Sequence, residues 1–343
     1  TVKGAVSIGS KTNATGADSL ALVSATASGD ESIAIGAEAL ASGEKSIAMG
    51  AEAKATEANA IAFGTESNAS GEDSIAIGSE ANASKANAIA LGTKSTASGE
   101  DSIAIGAGAK SSNYGSIALG ANASSTGTNA IAIGTNTSAT FNNSFLIGAG
   151  AIANGTGAGA IGYLANTQGV DAMTVGVKAC ALGNNSLALG TQAVASGVDS
   201  IAIGFNASST NTNSASIGTN ALANGINSMA FGANARATAT NSTAIGAQSF
   251  ANRNNSFVIG PNTTACGVNA GAIGASANAT GDSSLAIGVQ SYAKQTSSLA
   301  LGTNASSIGT NSTAIAVNAS AKGANSMAIG YFSKSEGVNS AAL

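Results

Sequence analysis

The chain has 343 residues, thirteen Lys and Arg against seventeen Asp and Glu, no histidine, and a formal net charge of −4. With one proline, no tryptophan and few aromatic residues, it is built mainly from Ala, Gly, Ser, Thr, Asn and Ile, which leaves no material for a large conventional core and no basic footprint for nucleic acid. No stretch reads as a signal peptide, and the longest apolar run, Phe145 to Ala153, is about half the ~20 residues of a membrane-spanning helix.

In chain order, Val6-Ser7-Ile8-Gly9 is the first recognisable unit. Ser19-Leu20-Ala21-Leu22-Val23 follows with Val23 in place of the glycine, and the step from Val23 to Gly36 is thirteen. From Gly36 a ladder of glycines runs in steps of fourteen to Gly330. Of its twenty-two positions only Ala316 is not glycine, and the residue before each is Ile, Leu, Met, Phe or Val. A period this strict predicts stacked structural units. Length alone allows two domains, but the unbroken register reads as one repetitive domain, 1–343, of about twenty-four coils, ~115 Å long at one strand spacing per coil. The chain begins and ends within a unit, at Thr1 and Leu343, so a piece of a longer protein with its export signal and anchor elsewhere is expected.

Within a unit, Ser32-Ile33-Ala34-Ile35 alternates small with bulky, the period-two signal of a strand. Gly36 allows a bend, Ala37 to Ser42 alternates again, and Gly43-Glu44-Lys45 closes the unit. Glycine recurs at that closing turn (Gly71, Gly99, Gly197, Gly323). Asn or Asp precedes the strand serine (Asn129, Asn185, Asp199, Asn241, Asn325), residues that tolerate left-handed backbone and bond locally. Helix is excluded because glycine-bearing turns would interrupt it within two turns. The fold class expected is all-β, a β-solenoid of 14-residue coils with two short strands per coil.

Two facings are open. If sheets pack ~10 Å apart, Ala37, Ala39 and Ala41 need larger partners, so Ile33 and Ile35 point inward and the strip Ser32, Ala34, Gly36 faces another copy of the chain. The reverse puts isoleucine at the subunit interface. Phe145 and Phe257 are each followed one coil later by glycine, Gly159 and Gly271, which reads as volume compensation in the core.

Thirteen of the seventeen acids lie within residues 1–110 with seven lysines, and Asn, Ser and Thr carry the polar face thereafter. This reads as a solvated surface whose style drifts. Cys180 and Cys266, six units apart, are expected as free thiols on the outer face, beyond disulfide reach. No metal or cofactor is expected: there is no histidine, no cysteine pair at ligand spacing, and no calcium-loop pattern at the acidic turns. Catalysis is not expected either, since Glu72-Asp73 and Glu100-Asp101 are neighbours in turns that point apart. The candidate contact patch is on the outer face. Arg236 and Phe250 stand four residues after ladder glycines in adjacent coils, Arg253 lies in the turn beside them, and Tyr292 is further along the same column. A cation stacked on the Phe250 ring explains the pair without any ligand.

The copies Asn241-Ser242-Thr243-Ala244-Ile245-Gly246 and Asn325-Ser326-Met327-Ala328-Ile329-Gly330 resemble the repeat of YadA-like heads in trimeric autotransporter adhesins, and the resemblance covers nearly the whole chain. It implies a left-handed parallel β-roll assembled as a homotrimer. It also implies a place on the cell surface through an outer-membrane anchor absent from this sequence, and multivalent binding to host extracellular matrix protein such as collagen, or to cells and abiotic surfaces. The sequence departs from such heads in its free cysteines and its many Asn-x-Ser/Thr triplets (Asn68, Asn122, Asn304), which leaves the shaft of a phage or viral fibre as the alternative. An ice-binding solenoid would need a regular threonine array that the variable outer positions do not provide.

Overall fold

Residues 3–343, described by a computed structural model, turn left-handed at every seventh position: Glu31, Glu38, Lys45, Glu52, Asn59 and Glu66 all have φ between 56° and 58°. Each is the third residue of a four-residue turn closed by a backbone hydrogen bond. The Ala39 N–H donates to the Gly36 carbonyl at 3.1 Å and the Ser46 N–H to that of Gly43 at 3.2 Å. A left-handed third residue is what a type II turn requires. Between the turns lie a three-residue strand, Ile33–Ile35, and a two-residue strand, Leu40–Ala41. Two strands and two turns therefore fill each fourteen-residue coil, and no helix occurs among the described residues.

Within each unit the strands pair in parallel with their equivalents one coil on. Ile33, Ala34 and Ile35 sit beside Ile47, Ala48 and Met49, and Leu40 and Ala41 beside Lys54 and Ala55. The chain divides into two units, Thr1–Asp171 and Ala172–Leu343, and in each the first strands form one sheet and the second strands another. The thirteen-residue step near the start is absorbed in a turn. Val23 (φ 63°) and Ser24 (φ 57°) are consecutive left-handed residues, and Leu20 to Leu22 still pair in register with Ile33 to Ile35.

Side-chain facing in the first strand is the reverse of the leading expectation. Ser32, Ala34, Ala39 and Ala41 are all buried, whereas Ile33 and Ile35 are half-exposed and Ala37 lies outside. The physical reason is the turn. Two strands joined by four-residue turns stand closer than the ~10 Å of independent stacked sheets, and Ala, Ser or Thr fill the gap in nearly every coil. Buried serines return a hydroxyl to the turn: Ser32 Oγ donates to the Gly29 carbonyl at 2.6 Å and Ser46 Oγ to that of Gly43 at 2.7 Å. Leu146 and Val258 are the largest side chains fully inside.

The Phe–Gly pairs are real neighbours, but on the outward face. Phe257 pairs with Gly271, and a Cβ on Gly271 would overlap the Phe257 ring. The compensation therefore fills the surface strip, while Leu146 and Val258 beside the two phenylalanines enlarge the core.

The ladder glycines have φ between 120° and 142°, and a Cβ on Gly204 would stand 2.6 Å from the Gly218 carbonyl oxygen. Glycine is needed twice over, for its angle and for the close approach of the next coil. Ala316 holds the same place at φ 102°. The closing-turn glycines have a separate reason: a Cβ on Gly43, Gly71, Gly99 or Gly127 would overlap the carbonyl of Glu57, Lys85, Asn113 or Phe141 in the next coil. Between Gly43 and Phe141 glycine alternates at this position with a large residue, whereas Gly155, Gly169, Gly183 and Gly197 follow one another in successive coils.

Two measurements check this packing. Ala202→Asp should destroy hydrogen-exchange protection across residues 200–213, because an unpaired buried charge costs about 3–5 kcal/mol, whereas Ile203→Asp next to it should leave that protection in place. Ala316→Gly should raise stability by about 1 kcal/mol through relief of backbone strain, and Gly204→Ala should lower it by at least as much, both read from chemical denaturation.

Candidate functional site

With the core closed by small residues, the surfaces able to bind are the outward positions of each coil. The first strand presents two apolar rows. In the first unit one row reads Ile33, Ile47, Ile61, Ile75, Ile89, Ile103, Ile117, Ile131 and Phe145, and the other includes Phe63, Ile77, Ile105 and Ile147, each about 40–50% exposed. In the second unit Ile201, Ile217, Met229, Ile245 and Ile259 remain exposed to a similar degree. Isolated apolar side chains on a surface need no explanation, but a contiguous strip does.

The turns carry the polar chemistry. From Asn213 to Asn269 the side-chain amides form a continuous chain between coils. Asn213 donates to Asn227, Asn227 to Asn241, Asn241 to Asn255 and Asn255 to Asn269, all at 3.0–3.1 Å. Sequence reasoning placed these residues at left-handed positions correctly, with Asn129, Asn185, Asp199, Asn241 and Asn325 at φ 53–56°. It expected local hydrogen bonds, and the amides bridge coils instead. In the first unit Asp73 and Asp101 accept from Asn59 and Asn87 in the same way. Glu38, Glu52, Glu66 and Glu80 stack at the other turn, ending at Lys94, whose ammonium is 3.7 Å from Glu80. A cavity of about 540 Å³ lined by Lys11, Ser24, Thr26 and Glu38 opens beside the shortened coil. The thirteen-residue step was its only trace in the sequence.

The structure pairs two of the four predicted patch residues. Arg236 and Phe250 are directly paired on adjacent second strands, with the guanidinium carbon 5.4 Å from the ring centroid. Arg253 follows in the exposed turn, close enough for its charge to act on Cys266. Tyr292 is half-buried on the same column but three coils beyond Phe250, outside the group. Both cysteines are free and partly buried. Burial pushes the Cys180 and Cys266 thiols up, and for Cys266 the Arg253 charge opposes that rise.

Parallel coils with a polar skin, an apolar strip and no metal-ligating group of His, Cys, Asp and Glu among the described residues define a surface-presenting β-solenoid module. The chain belongs to the YadA head family. The YadA head domain repeat matches residues 3–22, 23–39, 41–67, 69–95, 97–123, 125–151, 181–207, 209–235, 237–263, 265–291, 293–315 and 321–343. Among solved structures the collagen-binding domain of the Yersinia adhesin YadA is 32% identical, over 36% of this chain and 68% of that one, with a TM-score of 0.33. No curated protein sequence matches the chain. The family is structural and adhesive, and membership supports an adhesin-type role.

The position of Arg253 can be read from thiol chemistry. Near pH 8 both cysteines should alkylate more slowly than an unfolded-peptide cysteine, because thiolate is the reactive form. Arg253→Gln should slow Cys266 further and leave Cys180 unchanged. An unchanged Cys266 rate would place the guanidinium elsewhere.

Proposed function

We propose that this chain is the non-catalytic head of a trimeric surface adhesin, one repetitive left-handed roll carried outside the cell on an outer-membrane anchor, which binds host matrix protein, collagen first, by many weak contacts. The observation that carries this reading is the apolar strip on the first-strand face. Full burial of an Ile or Leu is worth about 1.5–3 kcal/mol, so covering the exposed two-fifths of one such residue yields about 0.6–1.2 kcal/mol per coil. Over about twenty coils this is on the order of 10–20 kcal/mol per chain, the size needed to offset the ~4–15 kcal/mol of lost freedom on association. Burial of the strip against two other copies in register pairs like coils with like and leaves the second-strand face and both turns to the ligand. Each outward side chain is then presented three times around the axis, which multiplies weak contacts through effective concentration. Family membership does not favour the fibre-shaft alternative.

Sedimentation at micromolar concentration tests the assembly. The chain should run as a trimer and bind immobilised collagen. The triple variant Ile203→Asp, Ile217→Asp, Ile245→Asp should run as a folded monomer with collagen binding reduced about a hundredfold. A folded wild-type monomer would overturn the reading.

A further inference from the structure

The net charge of −4 conceals two opposite units. Residues 1–171 hold seven lysines against fourteen acids, a balance of −7, whereas residues 172–343 hold six cations against three acids, a balance of +3. The positive unit contains both arginines of the chain, Arg236 and Arg253, and no acid at all between residues 200 and 281. The bounding carboxylates are engaged elsewhere: Asp199 accepts from the Asn185 amide at 3.0 Å and Asp282 from the Val268 N–H at 2.9 Å. Every ion pair among the described residues uses a lysine, so neither guanidinium has a carboxylate partner.

One of the two guanidinium groups rests on an aromatic platform. Arg236 lies over the Phe250 ring at 5.4 Å, a contact that leaves the in-plane N–H donors of the fork free while restricting its rotamers. Preorganising a long cation in this way reduces the ordering penalty of binding. Arg253 stands three residues beyond Phe250 in the neighbouring turn. The surroundings on the column are Leu222 before and Thr264 after, so the patch is open and flat.

We propose that Arg236, Phe250 and Arg253 form a binding site for a sulfated polysaccharide. This inference rests on the adhesin reading above and names a ligand class for it. The guanidinium forks match the planar oxygen pairs of sulfate and carboxylate groups. The part of the half-buried Phe250 ring that Arg236 leaves uncovered suits the C–H surface of a sugar ring. An acidic peptide is disfavoured because both strands at the patch are already paired on either side, which leaves no edge for strand addition. An anionic membrane is disfavoured because one ring amid Asn, Ser and Thr has too little apolar area to insert. Nucleic acid would need a succession of stacking platforms, and here there is one.

Heparin is the probe, with the full chain in its native assembly. The wild type should be retained at ~0.15 M salt and elute as salt rises. Arg236→Gln with Arg253→Gln should weaken binding about tenfold or more, and Arg236→Lys about threefold through loss of the planar fork. Lys178→Gln with Lys294→Gln, which removes the same charge elsewhere in the unit, should weaken it less than about twofold. Unsulfated hyaluronan and phosphatidylserine vesicles should bind poorly. No heparin retention by the wild type, equal loss in the lysine control, or arginine-dependent vesicle binding without heparin binding would each overturn the proposal. Hydrogen exchange at coils 228–269 shows that the variants remain folded. A trimer that binds collagen and not heparin sinks this site alone, whereas arginine-dependent heparin binding by a monomer sinks the assembly reading alone.

Discussion

The left-handed residue at every seventh position is the constraint on which the rest of the structure depends. It closes a turn after two or three extended residues and so brings the two strands of a coil close enough that Ala, Ser or Thr fill the space between them in nearly every coil. Ile33 and Ile35 are outside because Ser32, Ala34, Ala39 and Ala41 alone fit within. The same closeness between successive coils demands glycine at Gly204, where the next carbonyl approaches to 2.6 Å of the place a Cβ would take. The core then contributes little per residue, since alanine buries little area. Successive coils are also tied by backbone hydrogen bonds and by the asparagine chain from Asn213 to Asn269.

This arrangement inverts the usual relation of core and surface. The apolar residues that would fill an ordinary interior are displayed in rows, and in the proposed assembly their burial is a matter between chains. In that assembly folding of a coil and association of chains use different side chains, so a substitution such as Ile203→Asp would separate the two processes. The remaining surface is made of paired strands and closed turns. Recognition there belongs to side chains standing on a regular lattice, repeated at one strand spacing.

Charge is distributed on that lattice in a way the total conceals. The first unit concentrates carboxylates at both turns, with Asp73 and Asp101 tied into amide bridges and Glu38 to Glu80 left as a like-charged column. The second unit replaces them with asparagine and sets two unpaired arginines beside a phenylalanine. The drift in polar style from one half to the other, read in the sequence as a change of solvated surface, thus coincides with a change in the sign of the field a ligand would meet.

Period, strand positions, turn positions and parallel stacking were all legible in the sequence, because a fourteen-residue step with alternating small and bulky residues admits few other solutions. The Arg236–Phe250 contact followed from the same arithmetic, since residues fourteen apart are neighbours once the coil is known. Three features were not legible. The choice of inner face was hidden because period-two alternation looks identical from either side of a strand, and only the distance between the two strands of a coil, set by the turn geometry, decides it. The two-coil alternation at Gly43 and Glu57 depends on where one carbonyl lies relative to the next coil. The bridges between asparagines depend on side chains aligned across coils rather than along the chain. The sequence by itself determined the coil and its repetition, which are properties of local alternation and turn chemistry. The tertiary structure alone decided which residues are core and which are surface, because that depends on how close the turns draw the strands together.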